Sequence, residues 1–217
     1  MGRPRVLTTR RPVVQAPPAA SDSDTRQRIL GAALQAFTEH GYAGTSTLHI
    51  ATRAKVSKRD LYAHFASKQA ALVDCIRARS EQMRLPSALP LPRTRKALLT
   101  TLATFASQVL VETSHPTVMA MFRLAISEAV HAPEVAQALE ERRMANRRTL
   151  SALFVGCQSA GLMPAGDTAE MASQYLSLVW GDLMLGLLLG VATRPGRAEI
   201  ERRATEATAA FLQLHQP

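Results

Sequence analysis

"GYAGTSTLHIATRAKVSKRDLYAHFASK", Gly41 to Lys68, sets two short helical patterns on either side of the tripeptide "AKV". Thr45 is suited to cap the first, which the pattern carries to about Arg53 with Leu48 or Ile50 turned inward. Ser57 is suited to cap the second, running to His64, where Val56, Leu61 and Phe65 face a core. Lys58 and Tyr62 lie one turn apart, so with Arg59 they project from another side. Small Ala51 allows the two helices to approach closely.

Working outward, "SDSDTRQRIL" opens a longer helix, with Ser23 or Asp24 as cap and its acids at the positive end of the dipole. Ile29, Ala33 and Phe37 recur at helical spacing, and Gly41 suits the left-handed position past its end. On the other side, Ser67 is placed to cap a fourth helix reaching about Arg84. Residues 1–20 carry four prolines and four arginines without a period, as expected of a flexible basic arm.

Charge follows the same division. Residues 1–68 hold eleven Lys/Arg against four Asp/Glu, so +7 of the net +9 sits in the first third. Such asymmetry suggests a polyanion partner at this end, a nucleic acid or an anionic membrane surface. Two short helices around a tight turn, behind a longer one, make a helix-turn-helix at about 46–65, whose second helix suits a DNA major groove. The helix starts at Thr45 and Ser57 would offer N–H groups to phosphate.

The combination of "GY", the threonine opening the second helix, "IA", "VS", "LY", "HF" and "SK", at these spacings over residues 24–75, resembles the DNA-binding domain of the TetR/AcrR family of bacterial transcriptional repressors. The resemblance implies phosphate contacts for Thr45, Tyr62, His64 and Lys68, with Thr47 and Ser57 at the helix starts, and base reading by Lys58, Arg59 and Asp60. Lys55 stands where the family often has glycine. Asp60 replaces a frequent small residue; it would accept from a cytosine amino group or pair with Arg59 or Lys58 and orient them. "GRPR", with Arg3 and Arg5, looks like a minor-groove arm lengthened by Arg10 and Arg11; the other reading is a tail adding only salt-dependent attraction.

"LPSALPLP" marks the module boundary, giving a basic arm at 1–22, a DNA-binding domain at 23–83 and a helical effector-binding and dimerisation domain at 84–217. Helical patterns cover roughly 93–112, 117–130, 133–160, 167–192 and 196–215, with no convincing strand, so the fold class is all-α. Phe105, Met119, Phe122, Phe154 and Trp180 are candidates for a pocket taking a small hydrophobic effector, although each is also ordinary core material. The two C-terminal helices suit a four-helix homodimer interface.

Other chemistries find no pattern. Cys75 and Cys157 form no metal or redox motif, the six histidines have no zinc spacing, and nucleophile and phosphate-loop motifs are lacking, so neither a cofactor nor an enzyme is expected. Tyr175–Ala192 is apolar but carries Asp182, which favours a buried or interface helix over a membrane span. With no secretory pattern the chain reads as cytoplasmic. The expectation is a homodimeric, effector-released repressor on a palindromic operator. The alternative is a ligand-blind architectural DNA-binding protein whose C-terminal half only dimerises.

Overall fold

The structure, a computed structural model, describes residues 21–82, 85–130 and 132–216. The proposed arm, with Arg3, Arg5, Arg10 and Arg11, lies outside the described residues. Ten α-helices and no strand occur among those that are described. They are α1 (Asp22–His40), α2 (Thr47–Ala54), α3 (Lys58–His64), α4 (Lys68–Gln82), α5 (Arg95–Thr113), α6 (Pro116–Glu128), α7 (Pro133–Ser159), α8 (Thr168–Trp180), α9 (Leu183–Leu189) and α10 (Arg197–Leu214).

Local chemistry sets the ends of these helices, with small shifts from expectation. Ser21, not Ser23 or Asp24, caps α1 by accepting from the Asp24 N–H at 3.1 Å, which leaves Asp22 and Asp24 in the first turn. Ser46, not Thr45, caps α2 through the His49 N–H. Ser67 accepts from the Ala70 N–H at the start of α4, as its position suggests. The helix expected over 167–192 is two helices. Gly181 breaks it with φ 48° and ψ −134°, and α8 and α9 meet at 57°. Among the described residues no single helix is long and apolar enough to cross a membrane.

Two cores form. One joins α5, α7, α8, α9 and α10 around Phe105, Phe154, Tyr175 and Phe211. Its buried phenol, Tyr175, donates to the Leu102 carbonyl at 2.7 Å and lies 2.8 Å from the Thr208 hydroxyl, tying three helices with polar atoms satisfied. The other core packs α1–α4 around Ile29, Phe37, Ile50, Leu61, Phe65 and Leu72. It is completed from the second half of the chain by Met121, Leu124 and Ala125 of α6 and Val135 and Ala138 of α7. The apolar seal under the N-terminal helices thus does not end at residue 83.

Candidate nucleic-acid interface

α2 and α3 are held at a fixed angle by what lies between and beneath them. Val56 N–H reaches back to the Ala51 carbonyl at 3.0 Å and Lys55 N–H to Thr52 at 3.1 Å, the paired bonds of a Schellman end. That geometry needs a left-handed residue, and Lys55 supplies it at φ 54°, the one non-glycine with positive φ among the described residues. Ile50, Ala51, Leu61 and Phe65 are buried beneath. Leu48 is the outward residue of the α2 pair, 58% exposed.

α3 begins with a capping box. Ser57 Oγ accepts from the Asp60 N–H, while the Asp60 carboxylate accepts from the Ser57 N–H at 3.1 Å and from the Ser57 hydroxyl at 2.7 Å. These bonds hold the Asp60 carboxyl below its usual pKa, with the nearby Arg59 and His64 charges adding to the effect. The Asp60 carboxylate fastens the helix start, and no ion pair joins it to Lys58 or Arg59 among the described residues.

Lys58, Arg59 and Tyr62 lie on the exposed side of α3. No ion pair engages Lys58 or Arg59 among the described residues, and both side chains are exposed. Tyr62 is half-exposed, and its phenol oxygen lies 3.2 Å from the Thr47 hydroxyl across the two helices. His64 is partly buried, its Nε2 3.5 Å from an Asp22 oxygen.

Two expected phosphate contacts face elsewhere. Thr45 is 1% exposed, its hydroxyl 3.0 Å from the Ala36 carbonyl and 2.7 Å from that of Gly41. The hydroxyl is consumed in seating the α1–α2 turn and does not reach the surface. Lys68 donates to the carbonyls of Tyr42 at 2.8 Å and Thr45 at 2.9 Å, with its ammonium 4.0 Å from the Tyr42 ring centre. It braces that turn from α4, and Tyr42 in turn stacks on Phe37. Sequence reasoning missed Tyr42 in this role, although an aromatic directly after Gly41 was the available signal.

A cavity of about 370 Å³ opens between α5, α6, α7 and α8. Of the five pocket candidates, Phe122 and Trp180 line it, whereas Phe105, Met119 and Phe154 are buried in the core. The lining residues not foreseen include polar ones: Arg142, Asn146 and Arg147 of α7 and Ser173 and Ser177 of α8.

The comparisons with known proteins agree with this geometry. Residues 29–74 match the model of bacterial regulatory proteins of the tetR family, and residues 100–217 match that of the AefR-like transcriptional repressor C-terminal domain. The chain belongs to the TetR family of transcriptional regulators. Flavonoid-responsive Regulator FrrA is 32% identical, with 90% of this chain and 98% of that one covered at a TM-score of 0.74. A TetR-family structure from Mesorhizobium loti is 24% identical with a TM-score of 0.77, covering 90% of this chain and 98% of that one. The HTH-type transcriptional regulator YvkB of Bacillus subtilis is 26% identical over 191 residues, 87% of this chain and 96% of YvkB. Members of this family are DNA-binding regulators and not enzymes.

Proposed function

We propose that this TetR-family regulator is a repressor that binds a palindromic operator as a homodimer and is released by a small effector seated in the α5–α8 cavity. The observation that carries the DNA-binding part is the unpaired Lys58–Arg59 edge of α3 beside the Thr47–Tyr62 hydroxyl pair. In a two-fold dimer each α3 lies in the major groove of one half-site, with half-sites separated by roughly 34–36 Å or somewhat more. Thr47, Tyr62 and Ser57 lie at the backbone, with Lys58 and Arg59 over base edges.

Support for dimerisation comes from the outward Leu178 of α8, Leu185 and Leu189 of α9 and Leu214 of α10, apolar side chains that a second copy would cover. Support for effector response comes from the helices shared by cavity and head. α6 gives Val118 and Phe122 to the cavity and Met121 and Leu124 to the N-terminal core. α7 is joined to α4 by the Gln69–Glu134 hydrogen bond and by Arg77 and Glu141 at 3.6 Å. A ligand that repositions α6 and α7 therefore acts on α4 and on the separation of the two α3 helices, and a coupling of about 1–3 kcal/mol suffices. The flavonoid-responsive relative is in keeping with an effector that has an aromatic body. The cavity supports this reading over a ligand-blind architectural role.

The test is fluorescence anisotropy with the intergenic DNA upstream of the protein's own gene, together with sedimentation to read the oligomer. A two-fold-symmetric footprint by a dimer, lost on Arg59→Ala, is expected. Absence of specific binding at low salt, or indifference to Arg59→Ala, overturns the proposal.

A further inference from the structure

The cavity walls differ in character. Val118, Phe122, Leu176 and Trp180 make an apolar side, and α7 presents Arg142 and Arg147 on the other. No Asp or Glu lines the cavity among the described residues. Exposed Arg143 is neutralised by Glu140, which accepts from it at 2.5 and 2.7 Å. Arg147 donates to the Ser173 hydroxyl, leaving its Nε buried without a partner among the described residues.

Arg142 stands out further. Its Nε and Nη2 are both shut off from solvent and have no hydrogen-bond partner among the described residues. The nearby acid, Glu112, is 3.5 Å from Arg79 instead. Burial holds the Arg142 pKa below its ordinary value, with Glu112 opposing. A guanidinium nevertheless stays charged, and leaving its N–H groups dry and unpaired is costly. The helix period makes this position conspicuous. Val135, Ala138, Asn146, Thr149 and Leu153 form one row among the buried residues of α7, and Arg142 falls in that row, where an apolar side chain would seal the wall. Arg142 lines the cavity opposite its apolar wall, and a planar charged guanidinium matches the geometry of a carboxylate once its N–H groups are uncovered.

We propose that the effector is an amphipathic organic anion, its carboxylate or equally acidic oxyanion held by Arg142 with Arg147, and its apolar body packed on Phe122, Leu176 and Trp180. This rests on the cavity being the effector site and adds the chemical class of ligand it takes.

Trp180 is the chain's single tryptophan, so its fluorescence reports occupancy directly. The full-length protein is titrated with decanoate and with 1-decanol by fluorescence, and with 2-naphthoate and 2-naphthylmethanol by thermal shift. The anion of each pair is expected to bind roughly tenfold or more tightly than its neutral partner. Arg142→Met abolishes that preference while leaving the alcohols unchanged, and Arg142→Lys retains part of it. Should Arg142→Met fail to fold, the wild-type ratio and Arg142→Lys still decide. Equal affinity within each pair overturns the anion assignment but leaves the cavity a binding site. No response to any of the four compounds overturns the cavity reading itself, and this inference with it.

Discussion

The Thr47 hydroxyl and the Tyr62 phenol oxygen, fifteen positions apart in the chain, lie 3.2 Å from each other on the outer surface of α2 and α3. Because both groups are partly exposed, the bond adds little to stability, but it fixes where the phenol points. Tyr62→Phe and Thr47→Ala should each leave the thermal midpoint nearly unchanged. Each should weaken operator binding several-fold, by about 1 kcal/mol, alike for every operator variant. The double variant should lose less than the sum of the singles, since either change already frees the pair. Additive losses would show that the two hydroxyls act separately.

Arg59 and Lys58 are neighbours on α3 with different expected signatures. Arg59→Ala should cost about 1–3 kcal/mol against the best operator and relax preference at one or two base pairs. Lys58→Ala, removing a flexible point charge from over the base edges, should reduce the slope of log affinity against log salt by about one and relax preference more weakly, at a different base pair from Arg59. Binding isotherms on a panel of single-base operator changes at several salt concentrations distinguish them. A uniform loss across the panel for Arg59→Ala would remove it from the base-reading role.

The Ser57–Asp60 capping box makes a pH prediction whose sign is fixed. Hydrogen bonds from Ser57 lower the Asp60 pKa in the folded chain from its ordinary 3.8. A carboxyl lowered on folding stabilises the fold above its unfolded pKa and loses that contribution as pH falls through the folded value. Asp60→Asn keeps an acceptor but no charge. The difference in urea midpoint between wild type and Asp60→Asn should thus be present at pH 7 and pH 5 and shrink at pH 3. A difference that persists undiminished at pH 3 would mean that the charge is not what matters.

Lys55 occupies a left-handed conformation at φ 54° and ψ 46°, which costs a residue with a β-carbon about 1–2 kcal/mol relative to glycine. Glycine gives some of that back through its more flexible unfolded chain, so Lys55→Gly should stabilise the protein by about 0.5–1 kcal/mol. Chemical denaturation with an unchanged m-value is the measurement. A loss of stability would mean that the lysine makes compensating contacts in the turn.

Where the chain was legible, a local rule sufficed. The Ser57 cap, the inward Leu61 and Phe65 and the outward Lys58, Arg59 and Tyr62 all follow from helical periodicity and one hydroxyl. The misreadings arise where two rules compete at adjacent residues. Thr45 and Ser46 can each cap α2, and the choice falls to Ser46 because the Thr45 hydroxyl is needed by carbonyls of α1 and its turn. Gly181 inside an apolar run reads as tolerable in a helix until its positive φ is seen. Phe105 and Phe154 are as aromatic as Phe122, and only the packing of α5 and α7 against α10 decides which of them meets the α5–α8 cavity. Arg142 was readable in principle, as a charge in the buried row of α7, but it was hidden within "ERRMANRR", which looks like a solvated face.

The shared core under the N-terminal helices bears on how the protein unfolds. Met121 is 1% exposed and sits among α1–α4 residues, although it belongs to α6, whose other side lines the cavity. Met121→Ala should therefore cost about 2–5 kcal/mol, whereas Met144→Ala, at a partly exposed position of α7, should stay within about 0.5 kcal/mol of wild type. The consequence for cooperativity is sharper. If α6 and α7 bind the two cores into one unit, urea unfolding followed by far-ultraviolet dichroism and by Trp180 fluorescence should coincide, in Met121→Ala as in wild type. A head that melts at lower urea while Trp180 remains in its native environment would show that the apolar contacts of Met121, Leu124 and Val135 are too weak to transmit a displacement of the cavity helices to α3, and release by effector would then need another route.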